Sequence, residues 1–168
     1  AEHLSVDLKI ETAHSVDQLF SRLQEVDGPD LLAAGISYSP ERAQQAAFTQ
    51  GYLEVVPQVI YNSKNQRPRK AEDLVGKRIL VIKDSIHEER LKQLQLANPE
   101  ITFESSDQVE TIDLLNMVDE DEIDLTVVSS NELAMNHVYF PNIQLAFSLK
   151  PNTELRWALN SNLAKDDS

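Results

Sequence analysis

Residues 30–42 read Asp-Leu-Leu-Ala-Ala-Gly-Ile-Ser-Tyr-Ser-Pro-Glu-Arg, and the run continues through Phe48 and Tyr52 to Val-Ile-Tyr at 59–61. Leu31 to Ala34 form a short apolar strand that reaches Gly35 and Ser37. Ser39 stands where a helix N-cap belongs, with Pro40 at the first helical position and Glu41 in the first turn. That order sets Arg42 beside the free backbone N–H groups of a helix start. A guanidinium fork, the Ser37 hydroxyl and unpaired N–H groups meeting at a strand end suit a carboxylate or another small anion. A capped helix with a solvated surface arginine carries the same local signature, so the rest of the chain has to decide.

Outward from that run, a strand–helix–strand unit occurs twice. Leu8–Thr12, Ser15–Glu25 and Asp30–Ser37 form the first; Ile101–Ser105, Gln108–Val118 and Asp124–Ser130 form the second. In the first helix Val16, Leu19, Phe20 and Leu23 share one face, and Ser15 with Gln18 reads as a capping box. In the second helix Val109, Ile112 and Leu115 fall on one side, widened by Leu114 and Met117. Each closing strand is entered through Asp-Leu and is apolar at consecutive positions, the pattern of a parallel sheet covered on both faces. Two similar α/β lobes are expected.

Between the units, Val55–Tyr61 reads as a strand, and Pro57 argues for an edge or crossing position. Asn62–Lys70 is polar and holds Pro68, which makes it the candidate hinge or surface loop. A turn of helix at Ala71–Leu74 leads through Gly76 into a strand at Arg78–Ile82. Ser85 with Glu88 caps a helix carrying Leu91 and Leu94. A short helix near Asn131–His137 and strands at Ile143–Leu149 and Leu155–Leu159 complete the chain. The expected division is 1–62 as a partial first lobe, 63–70 as connector, 71–150 as second lobe and 151–168 as a return segment. Ala1-Glu2-His3-Leu4 reads as the tail of a helix and Asp166-Asp167-Ser168 as the start of one, so the chain is read as part of a longer protein.

Composition narrows the chemistry. The 168 residues are 41% apolar, enough for a sizeable core. Twenty-eight acidic against 15 basic residues leave a net charge of −13, which argues against nucleic acid as a partner. The cluster Lys64, Arg67, Arg69, Lys70 reads as a solvated loop. There is no cysteine, which removes disulfides, zinc–thiolate sites and cysteine nucleophiles. His3, His14, His87 and His137 lack metal-ligand spacing and read as exposed or partly packed imidazoles, so no metal or cofactor is expected. Four scattered glycines make no phosphate loop, and no serine is recognisable as a nucleophile elbow. Asp119 to Glu122 reads as a solvated turn rather than a catalytic carboxylate pair. Glu104-Ser105 echoes a Glu-Ser pair of cell-wall lytic enzymes but lies in a strand, without the Gly-rich segment that follows it there. The chain reads as non-catalytic.

The run from Asp30 through Arg42, Phe48 and Tyr52 to Tyr61 resembles the first lobe of the periplasmic solute-binding proteins of family 3. The resemblance is closer to one branch, the solute-binding-like domain of membrane-bound lytic murein transglycosylases of the F type. It rests on residues 30–42, Arg67-Pro68-Arg69, Glu72-Asp73-Leu74, Ile123–Thr126, Pro141 with Ile143–Phe147, and Trp157-Ala158-Leu159 ahead of Asp166-Asp167-Ser168. It implies a two-lobed α/β architecture of the periplasmic-binding-protein type II, with the first lobe truncated at its N-terminus. It also implies a periplasmic, outer-membrane-associated parent whose C-terminal lysozyme-like domain cleaves peptidoglycan to a 1,6-anhydro product. In the family, the residues matching Ser37 and Arg42 hold a ligand's carboxylate. Two positions depart from the pattern: Ser129 stands where an Asp holds an ammonium, and Ser85-Ile86-His87 replaces a Gly-Thr-Gly type turn. A hydroxyl in place of that carboxylate forfeits about 1.5–3 kcal/mol. The implied ligand is therefore an amino acid or a cell-wall peptide end, held by Ser37, Arg42, Ser85 and Ser129. A stand-alone amino-acid receptor of an importer, and a structural domain that has lost its ligand, are the alternatives.

Overall fold

A computed structural model of the chain describes residues 7–161; the helix tail read at 1–4 and the helix start read at 166–168 lie outside the described residues. Helix α1 spans Val16–Leu23 and is followed by strands β1 (Leu31–Ser37), β2 (Ala47–Phe48), β3 (Leu53–Val55) and β4 (Pro57–Asn62). A 3-10 turn at Ala71–Leu74 precedes β5 (Leu80–Ile82), α2 (Ile86–Ala97), β6 (Glu104–Ser106), α3 (Thr111–Asp119) and β7 (Leu125–Ser129). Helix α4 (Ser130–Asn136), β8 (Ile143–Ser148) and β9 (Thr153–Leu159) complete the chain.

The first lobe is antiparallel. Strand β9 runs between β1 on one side and β2 and β3 on the other, with Leu31 opposite Leu159 and Ser37 opposite Leu155. Ser15 Oγ accepts the Gln18 N–H at 3.1 Å, while Gln18 Oε1 accepts from the His14 N–H at 2.7 Å, a reciprocal cap shifted by one residue. Phe20 and Leu23 of α1 bury against Leu32, Ile36 and Ala158, with Val16 and Leu19 packed alongside, as the spacing predicts.

Two expectations for this lobe fail. Residues 8–12 form no strand. Strand β1 is neither parallel nor covered on both faces: Leu32 and Ile36 are buried while Leu31, Ala33 and Ala34 are exposed. Its partner comes from the far end of the chain, and α1 packs on the face that carries Leu32 and Ile36, so one apolar face suffices. Gly35, at φ 64°, lets the pairing with β9 shift register between Leu32 and Ile36.

The second lobe keeps the predicted unit. Strands β5 and β6 are parallel, and a parallel bridge from Ile79 to Leu125 joins them to β7. Every residue of β7 is buried, because helices cover both faces. Leu125 and Val127 pack with Leu91 of α2, and Val128 packs with Leu114, Leu115 and Val118 of α3. Full burial of each such leucine stabilises the fold by about 1.5–3 kcal/mol. Helix α3 starts at Thr111, which leaves Val109 outside it and Ile112 exposed; the buried face is Leu114, Leu115 and Val118. Asp119, expected in a solvated turn, is buried, and its Oδ1 accepts the Asn142 N–H at 2.7 Å.

Strand β4 is central rather than at an edge, antiparallel to both β7 and β8. Pro57 fits there as the first strand residue, and its carbonyl accepts the Leu149 N–H at 2.8 Å. Because β3 pairs in the first sheet and β4 in the second, the chain crosses between sheets at Val56 and returns between β8 and β9. Residues 57–62 therefore sit with the second sheet. Segment 63–70 joins β4 to the 3-10 turn whose Leu74 shares a core with Val59, so it is a loop of the second lobe. In that loop Arg67 donates from Nε (3.0 Å) and Nη2 (2.6 Å) to the Ala146 carbonyl, at the register irregularity of edge strand β8. At the crossing, the Ser130 N–H donates to Val56 O at 2.9 Å, and the Val56 N–H donates to Ser130 Oγ at 3.1 Å.

Candidate functional site

Arg42 stands at the head of a 3-10 turn, Arg42–Gln44, not of an α-helix. The N-cap position falls to Glu41, without a side-chain cap bond, rather than to Ser39; Ser39 Oγ accepts the Arg42 N–H at 3.3 Å, and the Ala43 N–H is already bonded to Ser39 O. The chain then enters β2, whose pairing with β9 ends any helical continuation. The row of free N–H groups expected there is thus reduced. The Arg42 side chain is only 7% exposed and points inward between the lobes.

Its donors are used on both sides of the gap. Nη1 donates to the Ser37 carbonyl at 2.9 Å, whereas the sequence suggested a role for the Ser37 hydroxyl. Nη2 donates to the Asp84 carbonyl of the second lobe at 2.6 Å, and Nε lies 3.5 Å from Glu89 Oε1 on α2. The guanidinium carbon is 5.9 Å from the centre of the Phe20 ring. Burial lowers the Arg42 pKa below its ordinary value, with Glu89, Asp84 and Glu41 opposing the shift.

The facing wall belongs to the starts of α2 and α4. Ser85 caps α2, accepting the Glu88 N–H at 3.2 Å and donating to Ile82 O at 2.6 Å. His87, expected exposed or partly packed, is buried, with Nε2 3.0 Å from Ser129 Oγ. Burial pushes its pKa down to about 4, opposed by Glu132 and reinforced by Arg42, so the imidazole is neutral at neutral pH. Ser129 ends β7 and caps α4; Glu132 Oε2 accepts its N–H at 2.8 Å, and Glu132 Oε1 accepts from the Thr111 hydroxyl at 2.7 Å. Asn131 Oδ1 is buried without a hydrogen-bond partner.

These groups enclose a cavity of about 260 Å³ lined by Ser37, Arg42, Ser85, His87, Ser129 and Glu132 among others. All four site residues expected from the sequence therefore meet in one place. The cavity is dipolar, with a guanidinium on the first-lobe wall and acceptors from Asn131 and Glu132 on the second. Among the described residues no group of three or more His, Asp or Glu side chains is placed to hold a metal ion.

Residues 1–165 match the model of the bacterial extracellular solute-binding proteins, family 3. This chain belongs to that family.

The chain is 56% identical over all 168 residues to membrane-bound lytic murein transglycosylase F of Ectopseudomonas mendocina, and 54% identical over 159 residues to that of Pseudomonas savastanoi. It spans 34% and 32% of the lengths of those relatives. Among solved structures it superposes on holo ArgBP from T. maritima with a TM-score of 0.84 at 20% identity, covering 98% of this chain and 70% of that one. The ligand-binding core of GluR0 from Nostoc punctiforme, in complex with L-glutamate, gives 0.81 at 18%, covering 96% and 72%. These structural likenesses establish the fold as the type II periplasmic-binding-protein architecture.

Sequence reading missed Asn131, Glu132 and Glu89, and placed His87 only in the turn that replaces the Gly-Thr-Gly pattern, without a role. Glu132 had a signal, since Ser129-Ser130-Asn131-Glu132 is a capping-box spelling. The others had none, because only the packing of α2 and α4 against the gap brings them there.

Proposed function

We propose that this chain is the non-catalytic, solute-binding-like regulatory domain of a peptidoglycan lytic transglycosylase, receiving a carboxylate-bearing cell-wall peptide or amino acid between its lobes. The observation that carries this reading is the buried Arg42 guanidinium facing the starts of α2 and α4 across a shared cavity. On this reading Arg42 and Ser37 take the carboxylate, Ser85 and Ser129 contact the ligand from the opposite wall, and Asn131 and Glu132 accept its N–H groups. Ligand pockets hold roughly 300–1,000 Å³, so a cavity of about 260 Å³ suits an amino acid or a single peptide end, with any attached sugar outside. The partner in the parent protein is a lysozyme-like catalytic domain, and the location is the periplasmic face of the envelope. Among the described residues no helix is long and apolar enough to cross a membrane.

Calorimetric titration with free amino acids and with a disaccharide-tetrapeptide muropeptide tests the reading. The muropeptide is expected to bind, and Arg42→Ala to weaken it about 10- to 150-fold, the loss of a charge-assisted pair. Unchanged affinity in Arg42→Ala removes the carboxylate-anchor role. The small cavity favours a second reading, a receptor for free amino acids, which predicts heat with those alone.

A further inference from the structure

The cations of the loop at 64–70 take no part in the cavity. Lys64, Arg67, Arg69 and Lys70 stand in a stretch that holds no acid, in a chain of net charge −13. Removing these four charges from −13 leaves −17 on the rest of the chain, so the loop is a local island of positive charge. All four residues are exposed. Among the described residues only Lys70 has a carboxylate within ion-pair distance, Glu72 at 3.9 Å. The loop is also firmly held. The Lys64 N–H donates to Asn62 Oδ1 at 3.0 Å, the Ser63 N–H to the Asn142 carbonyl at 2.7 Å, and Asn65 Nδ2 to Asp121 Oδ1 at 2.6 Å. Pro68 is buried, and the Arg69 N–H donates to Asp73 Oδ2 at 2.8 Å. A loop fixed in this way presents its charges together, at a smaller ordering cost than a free tail.

Beside the cations the surface is apolar. Arg67 and Arg69 border a hollow of about 410 Å³ over edge strand β8, where Leu145 is 37% exposed and Phe147 half-buried. Long basic side chains around exposed apolar groups suit a lipid headgroup layer, which takes the apolar groups and stems while its phosphates meet the charged ends. The loop begins at Asn62, opposite Ile143, whereas Pro57 at the other end of β4 lies opposite Ser129 of the cavity wall. At about 3.3 Å per residue, β4 separates these ends by roughly 17–20 Å. We propose that residues 64–70, with Leu145 and Phe147, form a contact surface for an anionic phospholipid bilayer, leaving the cavity at the end of the lobe remote from the lipid. The envelope setting rests on the preceding reading; the patch does not depend on what the cavity binds. Charges more than about 8 Å apart are largely screened at physiological ionic strength, so acids elsewhere on the surface do not cancel the patch. Each Lys or Arg near such a surface strengthens binding about fivefold.

Co-sedimentation of the chain with phosphatidylglycerol–phosphatidylcholine vesicles, at millimolar lipid, tests the proposal. Binding is expected at about 0.1 M salt and release at about 1 M, with no binding to phosphatidylcholine alone. Lys64→Gln, Arg69→Gln and Lys70→Gln combined are expected to weaken binding about 100-fold. Arg67 is kept, because it bonds to the Ala146 carbonyl. Lys9→Gln, Lys83→Gln and Lys150→Gln combined remove the same charge from exposed positions elsewhere and are expected to leave binding nearly unchanged. Absence of binding to the anionic vesicles at about 0.1 M salt overturns the proposal, as does an equal loss in the two triple variants. Retention on purified peptidoglycan through the same three cations, without vesicle binding, assigns the patch to a carboxylate polymer and also overturns it. Muropeptide calorimetry judges the cavity separately, so failure there leaves the vesicle result standing.

Discussion

His87 makes the stability of this protein depend on pH. Its ring is buried and its pKa is lowered from 6.5 to about 4, chiefly by desolvation. In the unfolded chain the ordinary value returns, so between these limits the unfolded state binds more protons. A depressed folded value means that the stability is complete above pH 6.5 and is lost as pH falls toward 4. At 1.36 kcal/mol per pH unit the whole span amounts to about 3 kcal/mol, of which about 2 kcal/mol falls between pH 7 and pH 5. His87→Gln retains a side chain that can bond to Ser129 but cannot titrate. Urea unfolding of both proteins, followed by far-ultraviolet circular dichroism at pH 7, 6, 5 and 4.5, isolates the contribution of the imidazole, because the carboxylates are common to both. The wild type is expected to lose about 2 kcal/mol more than His87→Gln from pH 7 to 5. Parallel curves would refute the reasoning, since they would mean that the imidazole is hydrated or compensated when it charges.

Leu114→Ala, in the face of α3 that covers β7, is expected to cost about 2–5 kcal/mol in the same urea assay, and a cost below 1 kcal/mol would mean that the helix packs loosely. Arg67→Ala removes both bonds to the Ala146 carbonyl and bares the edge of β8. It is expected to destabilise by about 1.5–3 kcal/mol and to raise light scattering on heating; unchanged scattering would show that the edge is protected otherwise. Incubated with purified peptidoglycan, the chain by itself is expected to release no 1,6-anhydro product detectable by chromatography, and any turnover would overturn the non-catalytic reading.

The strand–helix–strand order of the second lobe was legible because its signals are local, although Val109, Ile112 and Asp119 were misplaced. Ser85 and Glu88, the consecutive apolar positions of β7 and the Asp124-Leu125 entry lie close together in the chain, and short-range capping and periodicity enforce them. The first lobe was misread where its partner is distant. Strand β1 looks like a member of a parallel sheet until Thr153–Leu159 arrives from the far end of the chain to pair with it in the opposite direction. Of the two readings of Pro57, the crossing holds, since the chain changes sheets beside it at Val56, while the edge fails because β7 and β8 close on either side of β4.

By itself the order of residues determined that an arginine would follow a capped strand end, that helices would bury particular faces and that no metal or nucleotide motif was encoded. Each of these depends on backbone conformation or side-chain type within a few positions. Tertiary structure alone decided what Arg42 faces. Asp84 lies 42 residues away and Glu89 further still, and they meet the guanidinium only because two sheets fold toward each other about the crossings at Val56 and after β8. The same closure buries His87 beside Ser129 and strips its water, which is why a residue that reads as an exposed or partly packed imidazole is a buried, neutral one.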